Sequence, residues 1–190
     1  LVRDLNGRIF GLLFLLFFLL LTTVCLIIQN QNIMSENNQN ISTLHNLLDY
    51  DADRFTSAEI QLKNILPEWI NIAQSIQLKG VLQKYLDFVK QHSDKLGSFY
   101  EEEKISSLSL HNRVMEAFID DTKERLAACT LAEVKDACLL ASLQGINHYK
   151  ISTYGTAAAF ANALGMEKAA AVFHEAEINE KHIDDRLSQL

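Results

Sequence analysis

The strongest constraint on this chain is the spacing of its apolar residues, which recur every three or four positions from about residue 44 to residue 187. That interval keeps side chains on one face of an α-helix. A single proline, Pro67, and seven glycines leave few points at which long helices would break. A sheet-rich fold would need many more turn residues, so the sequence predicts an all-α protein.

Four long apolar stripes predict four long helices. The first two stripes consist of Leu44, Leu48, Phe55, Ala58, Leu62, Ile65 and Trp69, and of Leu78, Val81, Leu82, Tyr85, Val89, Leu96 and Phe99. The last two consist of Leu140, Leu143, Ile146, Ile151, Tyr154 and Ala158, and of Ala169, Phe173, Ala176, Ile183 and Leu187. A shorter amphipathic stretch lies between the second and third stripes, with Val114, Phe118, Asp121 and Leu126.

Residue types at the ends of the stripes predict where the helices begin and end. Ser42 is the predicted N-cap of the first helix, and Thr130 and Glu133 form a capping-box pattern before the third. Gly165 is placed to end the third helix in the left-handed conformation. Pro67 is expected either to kink the first helix or to start a new turn.

The links between the stripes predict the topology. Helices one and two, and helices three and four, are joined by short links and should be antiparallel neighbours. The link from residue 105 to residue 130 is long enough to return along the length of the second helix. A ferritin-like bundle has its crossover at this position. We therefore predict that residues 42–190 form an all-α, ferritin-like four-helix bundle, with a short extra helix in the crossover between helices two and three.

Residues 1–33 form a separate, hydrophobic N-terminal segment, in which residues 9–28 carry no charge and are long enough for a transmembrane helix. Arg3 and Arg8 precede it, which would leave the bundle outside the cytoplasm as part of a single-pass inner-membrane protein. The alternative is a mis-assigned start, with Met34 as the first residue and residues 34–41 as a flexible leader. In that case no membrane is involved, and a cytoplasmic location is expected.

Charge and cysteine content exclude some functions. Taking Arg3, Arg8 and Asp4 from the 17 basic and 24 acidic side chains leaves 15 and 23, a net charge of −8 for the remainder. Such an acidic domain repels phosphate backbones, so nucleic acid is not an expected partner. The three cysteines, Cys25, Cys129 and Cys138, form no CxxC pair and are read as free thiols.

Several titratable residues interrupt the apolar stripes. Glu59 lies between Phe55 and Leu62, and His92, His148 and Glu180 lie on the other three long helices, with Asp184 one turn beyond Glu180. A buried carboxylate is normally protonated, paired or bound to a metal. One acidic or histidine position on each facing helix is how dinuclear carboxylate centres are built, and this ligand set suits iron or manganese.

A structural polar layer without any metal is the competing interpretation. The Glu-x-x-His pair that is typical of di-iron centres is absent, because Asn179 precedes His182 and Val89 precedes His92 by three residues. Glu59 could pair instead with Lys63 or with a neighbouring helix. No Gly-rich phosphate loop, GxSxG or HExxH motif is present, so no catalytic residue is predicted.

Three segments resemble the YciE/YciF family of bacterial ferritin-like stress proteins: SAEIQL at 57–62, EVKDACLLASLQGINHYKISTYGT at 133–156 and ALGMEKAAAVFHEAEINEKHIDDRL at 163–187. The resemblance covers about residues 47–187 and implies a four-helix bundle, often dimeric, linked to stress responses and carrying a di-iron-type site. The positions that match the family's site residues are Glu59, His92, His148, Glu175, Glu180 and Asp184.

The sequence departs from the family pattern at the site itself. Asn147 stands where the family has a glutamate before the HY histidine, and Lys150 stands where it has one after Tyr149. On the second helix, the two positions at which the family has paired acids hold Asp87 and Phe88 in this chain. Losing a bridging carboxylate and gaining an ammonium makes a two-metal site electrostatically worse.

Three functional hypotheses follow. The first is a ferritin-like stress-response protein that binds iron or manganese at a degenerate dinuclear site, with ferrous oxidation or peroxide consumption as its chemistry. The second is a non-catalytic helical interaction module, expected to be a homodimer, with no metal. The third is a membrane-tethered extracytoplasmic sensor bundle, which requires residues 9–28 to be translated.

Overall fold

The computed structural model describes residues 41–103 and 111–190. Within these residues all regular elements are helices: α1 (Leu44–Ile72), α2 (Ile76–Glu103), α3 (Arg113–Ala128), α4 (Ala132–Ala163) and α5 (Glu167–Leu187). The predicted transmembrane helix at 9–28 and all of the leader except Ile41 lie outside the described residues. Among the described helices none is both long and apolar enough to cross a membrane.

The four long helices close into a ring. Helix α1 packs on α2, α2 on α5, α5 on α4, and α4 back on α1, while α3 lies against α4 and α1. Only three residues join α1 to α2, and three join α4 to α5, which confirms the two predicted antiparallel pairs. Helix α3, which is shorter than the other four, is the predicted extra helix of the crossover. The all-α four-helix bundle is therefore confirmed.

The ends of the helices differ in detail from the sequence prediction. Thr43 rather than Ser42 caps α1, and its hydroxyl accepts a hydrogen bond from the backbone N–H of Asn46 at 3.1 Å. The capping box predicted at Thr130 is wrong, because α4 begins one residue later, with Leu131 at the N-cap and no side-chain cap. Pro67 lies inside α1, which continues without a break to Ile72.

The end of α4 follows the prediction. Gly165 has φ +72°, and the N–H of Met166 bonds to the carbonyl of Ala161 at 2.9 Å, as in a Schellman motif. Any residue with a Cβ would be strained at this φ. The left-handed turn reverses the chain and sends α5 back along α4.

Asn112 ties the crossover helix to the bundle. Its side chain caps α3 by accepting from the N–H of Met115 at 2.9 Å, and its amide donates to the carbonyl of Arg54 at 3.0 Å. It also contacts the hydroxyl of Tyr149 at 3.0 Å. Because Asn112 is fully buried, these bonds fix the start of α3 against α1 and α4.

The core divides into two apolar halves. One contains Leu62, Leu66, Trp69, Leu82, Val89, Leu139, Leu143 and Ile146, and the other contains Leu48, Phe55, Leu96, Phe99, Ala161 and Phe173. Glu59 lies along α1 between Phe55 and Leu62, at the junction of the two halves. A fully buried polar layer therefore crosses the middle of the bundle.

Candidate metal centre

Each long helix contributes one ionisable side chain to the polar layer. These are Glu59 on α1, His92 on α2, Lys150 on α4 and Glu180 on α5, and none is more than 2% exposed. Each one lies three or four residues from buried apolar neighbours on its own helix, which is why it points inward. The layer links all four helices through a single cluster, which we call the ionic centre.

The ammonium of Lys150 lies between the two carboxylates. Its Nζ is 2.9 Å from Oε1 and 3.1 Å from Oε2 of Glu59, and 2.5 Å from Oε1 of Glu180. These are charge-assisted contacts at hydrogen-bond distance. Lys150 therefore places one buried positive charge in contact with both carboxylates.

Aromatic and amide side chains surround the charges. The hydroxyl of Tyr154 donates a short hydrogen bond to Oε1 of Glu59, and the Asn147 amide donates to Oε2 of Glu180 at 2.7 Å. The ring of Tyr85 lies 4.9 Å from Nζ of Lys150, within range of a cation–π interaction. Neighbouring groups thus restrain the carboxylates and the ammonium from several sides.

His92 faces both carboxylates through one ring nitrogen. Its Nδ1 lies 3.6 Å from Oε1 of Glu59 and 3.5 Å from Oε1 of Glu180, which is long for a hydrogen bond. Its Nε2 lies 3.3 Å from the Asn179 amide, and its ring stacks on Phe88 at 6.3 Å between centroids. The ring is thus held in place with Nδ1 directed at both carboxylates.

The electrostatics of the centre favour the charged forms of Glu59 and Lys150. Burial pushes the pKa of Glu59 upward, but the Lys150 ammonium, helped by His92 and Tyr154, brings it down to about 2. Burial lowers the pKa of Lys150, yet the Glu180 and Glu59 carboxylates more than offset this and raise it above its usual 10.5. At neutral pH Glu59 is therefore ionised and Lys150 is protonated.

The two tyrosines stay neutral. Burial and the carboxylate of Glu59 raise the pKa of Tyr154 well above its usual value of 10.0. Burial, followed by the carboxylates of Glu180 and Glu59, does the same for Tyr85. Both therefore remain hydrogen-bond donors throughout the physiological range.

The structure brings together three of the six residues that the sequence singled out. Glu59, His92 and Glu180 offer ligand atoms that all lie within 4.8 Å of one another. His148 and Asp184 lie apart from them and pair with each other at 2.8 Å, where the His148 side chain is 62% exposed. Glu175 pairs with Lys95 at the surface.

Sequence reasoning did not include Tyr85 or Tyr154 among the site residues. Asn147, Lys150 and Tyr154 follow Leu143 at intervals of four, three and four, so they share the inward face of α4. This spacing in the sequence indicates that Lys150 and Tyr154 face the core together with Asn147. His148 is one residue from Asn147 and therefore points outward.

These residues do not fit a dinuclear metal centre. Such a centre takes a carboxylate from each of two helices and a Glu-x-x-His pair from each of the other two. Here α4 presents Asn147 and Lys150 to the centre, and the Lys150 ammonium already contacts both carboxylates. The Glu59, His92 and Glu180 side chains form a buried group of the size that could hold one metal ion.

Comparison with known proteins gives consistent matches. Residues 43–190 match the family model described as "Domain of unknown function (DUF892)". The chain is 28% identical to Protein YciF of Escherichia coli strain K12 over 152 residues, which is 80% of this chain and 92% of YciF.

Two solved structures share the fold. The crystal structure of the E. coli stress protein YciF matches with a TM-score of 0.74 and 27% identity, covering 78% of this chain and 94% of that one. The structure of YcfI from Rhodopseudomonas palustris matches with a TM-score of 0.77 and 23% identity, covering 81% and 98%.

Proposed function

Since this chain belongs to the YciE/YciF family of ferritin-like stress proteins, we propose that it is a stress-response-type helical bundle that works without a resident metal, as a non-catalytic interaction module. Lys150 acts as the internal cation of the bundle. It takes the electrostatic role that metal ions have in dinuclear carboxylate proteins and leaves no metal to carry out redox chemistry.

The observation that carries this proposal is the position of one atom. Nζ of Lys150 lies 2.9 Å from Glu59 and 2.5 Å from Glu180, in a layer with almost no exposure to solvent. The pKa of Lys150 is raised by those two carboxylates, so the ammonium stays charged. A divalent ion would have to displace the Lys150 ammonium from both carboxylate oxygens. The displaced ammonium would then need another partner inside the core.

Metal analysis of the protein tests this directly. We expect the wild-type chain, purified from cells grown with added iron and manganese, to hold less than about a tenth of an equivalent of either metal. Inductively coupled plasma mass spectrometry gives the number. A stoichiometric content that survives gel filtration would contradict the proposal.

The alternative is that the wild-type chain binds iron or manganese at Glu59, His92 and Glu180. The clustering of three buried ligand atoms within 4.8 Å favours it, and so does the hard character of the donors. This alternative requires the Lys150 side chain to leave the centre when the metal enters. The same metal analysis separates the two, because only the alternative predicts a metal that co-purifies.

Self-association is the second part of the proposal, with another copy of the chain as the partner. One end of the bundle, which we call the end surface, carries four exposed apolar side chains: Ile76, Leu131, Val134 and Leu190. Asp136 joins the starts of α4 and α2 there by accepting from the N–H groups of Gln74 and Ser75. Ile76 is 86% exposed, an unusual position for a side chain of this size.

Replacing Ile76 with lysine is expected to weaken a homodimer by about tenfold or more, because it places a charge in an apolar contact. Sedimentation velocity over a range of concentrations measures the change. Ile60→Lys is the matched control. Ile60 is also exposed, but it lies on α1 about 18 Å before Ile72, the last residue of that helix, and so is far from the end surface. Equal effects of the two substitutions, or a monomeric wild-type chain, would contradict this part of the proposal.

A further inference from the structure

We propose that Cys129 and Cys138 form a peroxide-sensitive pair, in which hydrogen peroxide oxidises the two thiols to a reversible disulfide. Cys129 directly follows the last residue of α3, and Cys138 lies in the second turn of α4. Both thiols are free in the structure. They pack in the apolar half of the core that contains Leu139 and Leu143. The inference therefore does not depend on whether the ionic centre holds a metal.

One carbonyl group of α4 brings the two cysteines together. The thiol of Cys129 lies 3.9 Å from the carbonyl oxygen of Val134, within reach of a weak S–H donor. Val134 precedes Cys138 by four residues in α4, so the same carbonyl accepts the helical N–H bond of Cys138. A helical side chain leans toward the amino end of its helix, which directs the Cys138 sulfur back toward Val134. The two sulfur atoms therefore converge on one turn of α4.

The electrostatic effect of one thiol on the other agrees with this geometry. Burial raises the pKa of the Cys138 thiol, the Arg125 guanidinium opposes that change, and the neighbouring Cys129 thiol adds to it through its charge and a hydrogen bond. The two thiols are therefore close enough to interact directly. A disulfide requires such proximity, since its two Cβ atoms are only about 3.5–4.5 Å apart.

The two thiols differ in exposure, and this difference assigns their order of reaction. Cys129 is partly exposed at the edge of the core, whereas Cys138 is only 7% exposed within it. Oxidation of a cysteine depends on access to the oxidant as well as on thiolate character. Cys129 is therefore the thiol that reacts with peroxide, and Cys138 is the resolving thiol.

The reaction balances with one molecule of hydrogen peroxide. The Cys129 thiolate attacks a peroxide oxygen, the O–O bond breaks, and a sulfenic acid forms while hydroxide leaves. The Cys138 thiolate then attacks the sulfenic sulfur, the S–O bond breaks, and a second hydroxide leaves. Each hydroxide takes up one of the two thiol protons. Two thiols and one peroxide thus give one disulfide and two water molecules, with sulfur oxidised and the peroxide oxygens reduced.

The disulfide would fasten the crossover helix to the bundle. Residues 129–131 link α3 to α4, and the bond would cross this link from Cys129 to Cys138. The end of α3 would then be held covalently against α4. A reducing thiol such as glutathione would reopen the bond by exchange at one of its sulfurs.

The experiment treats the reduced full chain with excess hydrogen peroxide, blocks the remaining thiols, and digests the denatured chain with trypsin in the absence of reductant. Lys135 lies between the two cysteines, so trypsin releases them in separate peptides, residues 126–135 and 136–150. We expect mass spectrometry to show these peptides joined, with the loss of two hydrogens, and dithiothreitol to separate them. The oxidised chain should remain monomeric on a denaturing, non-reducing gel.

Cys25→Ser is the matched control, because it removes the third cysteine and should leave the joined peptides unchanged. Dimedone, which traps sulfenic acids, tests the order of reaction. We expect peroxide-treated Cys138→Ala to carry at least about fivefold more dimedone on Cys129 than the wild type, since its resolving thiol is gone. In Cys129→Ser, Cys138 should carry less than about a tenth of that label.

Two results would overturn the inference. The first is a wild-type chain in which peroxide joins no peptides, or joins either cysteine to Cys25 or to a second chain instead. The second is equal dimedone labelling of Cys129 in the wild type and in Cys138→Ala. The first result is read from the wild-type chain, so it holds even where a substitution impairs folding. Neither result bears on the metal content or the self-association of the bundle.

Discussion

Replacing Lys150 with methionine is expected to lower the free energy of unfolding by about 3–5 kcal/mol. Methionine is apolar and of similar length, so it fills the space while removing the charge. Glu59 and Glu180 would then be buried without the ammonium that contacts both, and the charge of Glu59 would lose the partner that does most to lower its pKa. Urea denaturation in the presence of EDTA measures the loss without interference from added metal.

Lys181→Met is the matched control for this substitution. Lys181 also contacts a carboxylate, that of Glu177 at 2.6 Å, but its side chain is 53% exposed. A pair in that setting contributes less than about 1 kcal/mol. Equal losses for Lys150→Met and Lys181→Met would contradict the role given to the ionic centre.

A triple replacement shows how much Glu59, Lys150 and Glu180 contribute together. When the partners of a buried ion pair or triad all become apolar, stability is often unchanged or higher. We therefore expect Glu59→Leu, Lys150→Met and Glu180→Leu together to recover most of what Lys150→Met alone loses. Recovery would show that these three side chains together add little net stability to the bundle.

Acid is expected to destabilise the bundle through Glu59 in a defined window. The pKa of Glu59 is about 2 in the folded chain, against 4.5 for an unperturbed glutamate. A depressed pKa stabilises the folded state above pH 4.5, and this stabilisation is lost as the pH falls from 4.5 toward 2. This difference between the pKa of Glu59 in the folded chain and in an unperturbed glutamate is worth on the order of 3 kcal/mol.

The measurement is the difference in unfolding free energy between the wild type and Glu59→Gln from about pH 6 to about pH 3. Glutamine does not titrate, so this difference should shrink as the pH falls. A difference for Glu59→Gln that does not change with pH would show that the Glu59 pKa is not depressed.

The fold could be predicted from the sequence because its main determinant is local. Apolar residues at intervals of three and four set the helices and their inward faces, and short links force antiparallel neighbours. The errors lie at helix ends, where one residue decides the cap. Thr43 caps α1 in place of Ser42, and α4 begins after Leu131 without the predicted capping box.

The composition of the site could be predicted only in part. Glu59, His92 and Glu180 stand out because each interrupts an apolar stripe, and the structure places all three in one cluster. The contact of Lys150 with both carboxylates depends on how α4 is rotated against α1 and α5. That rotation is a tertiary property that no single helix encodes.

The surface partners of the remaining candidates follow from the geometry of the same helices. His148 is one residue from the inward-facing Asn147, and a step of one residue turns about 100° around a helix. Asp184 lies one turn from Glu180, yet Ile183 and Leu187 take the buried positions there. Asp184 is therefore left half-buried at the edge, where it meets His148 at 2.8 Å.

The most direct test of the central claim is a crystal structure of the wild-type chain grown with added iron and manganese, with anomalous data collected at both absorption edges. We predict that Lys150 Nζ lies between the carboxylates of Glu59 and Glu180 and that no anomalous peak appears among Glu59, His92 and Glu180. An anomalous peak bound by these three side chains, with Lys150 turned away from the centre, would contradict the account.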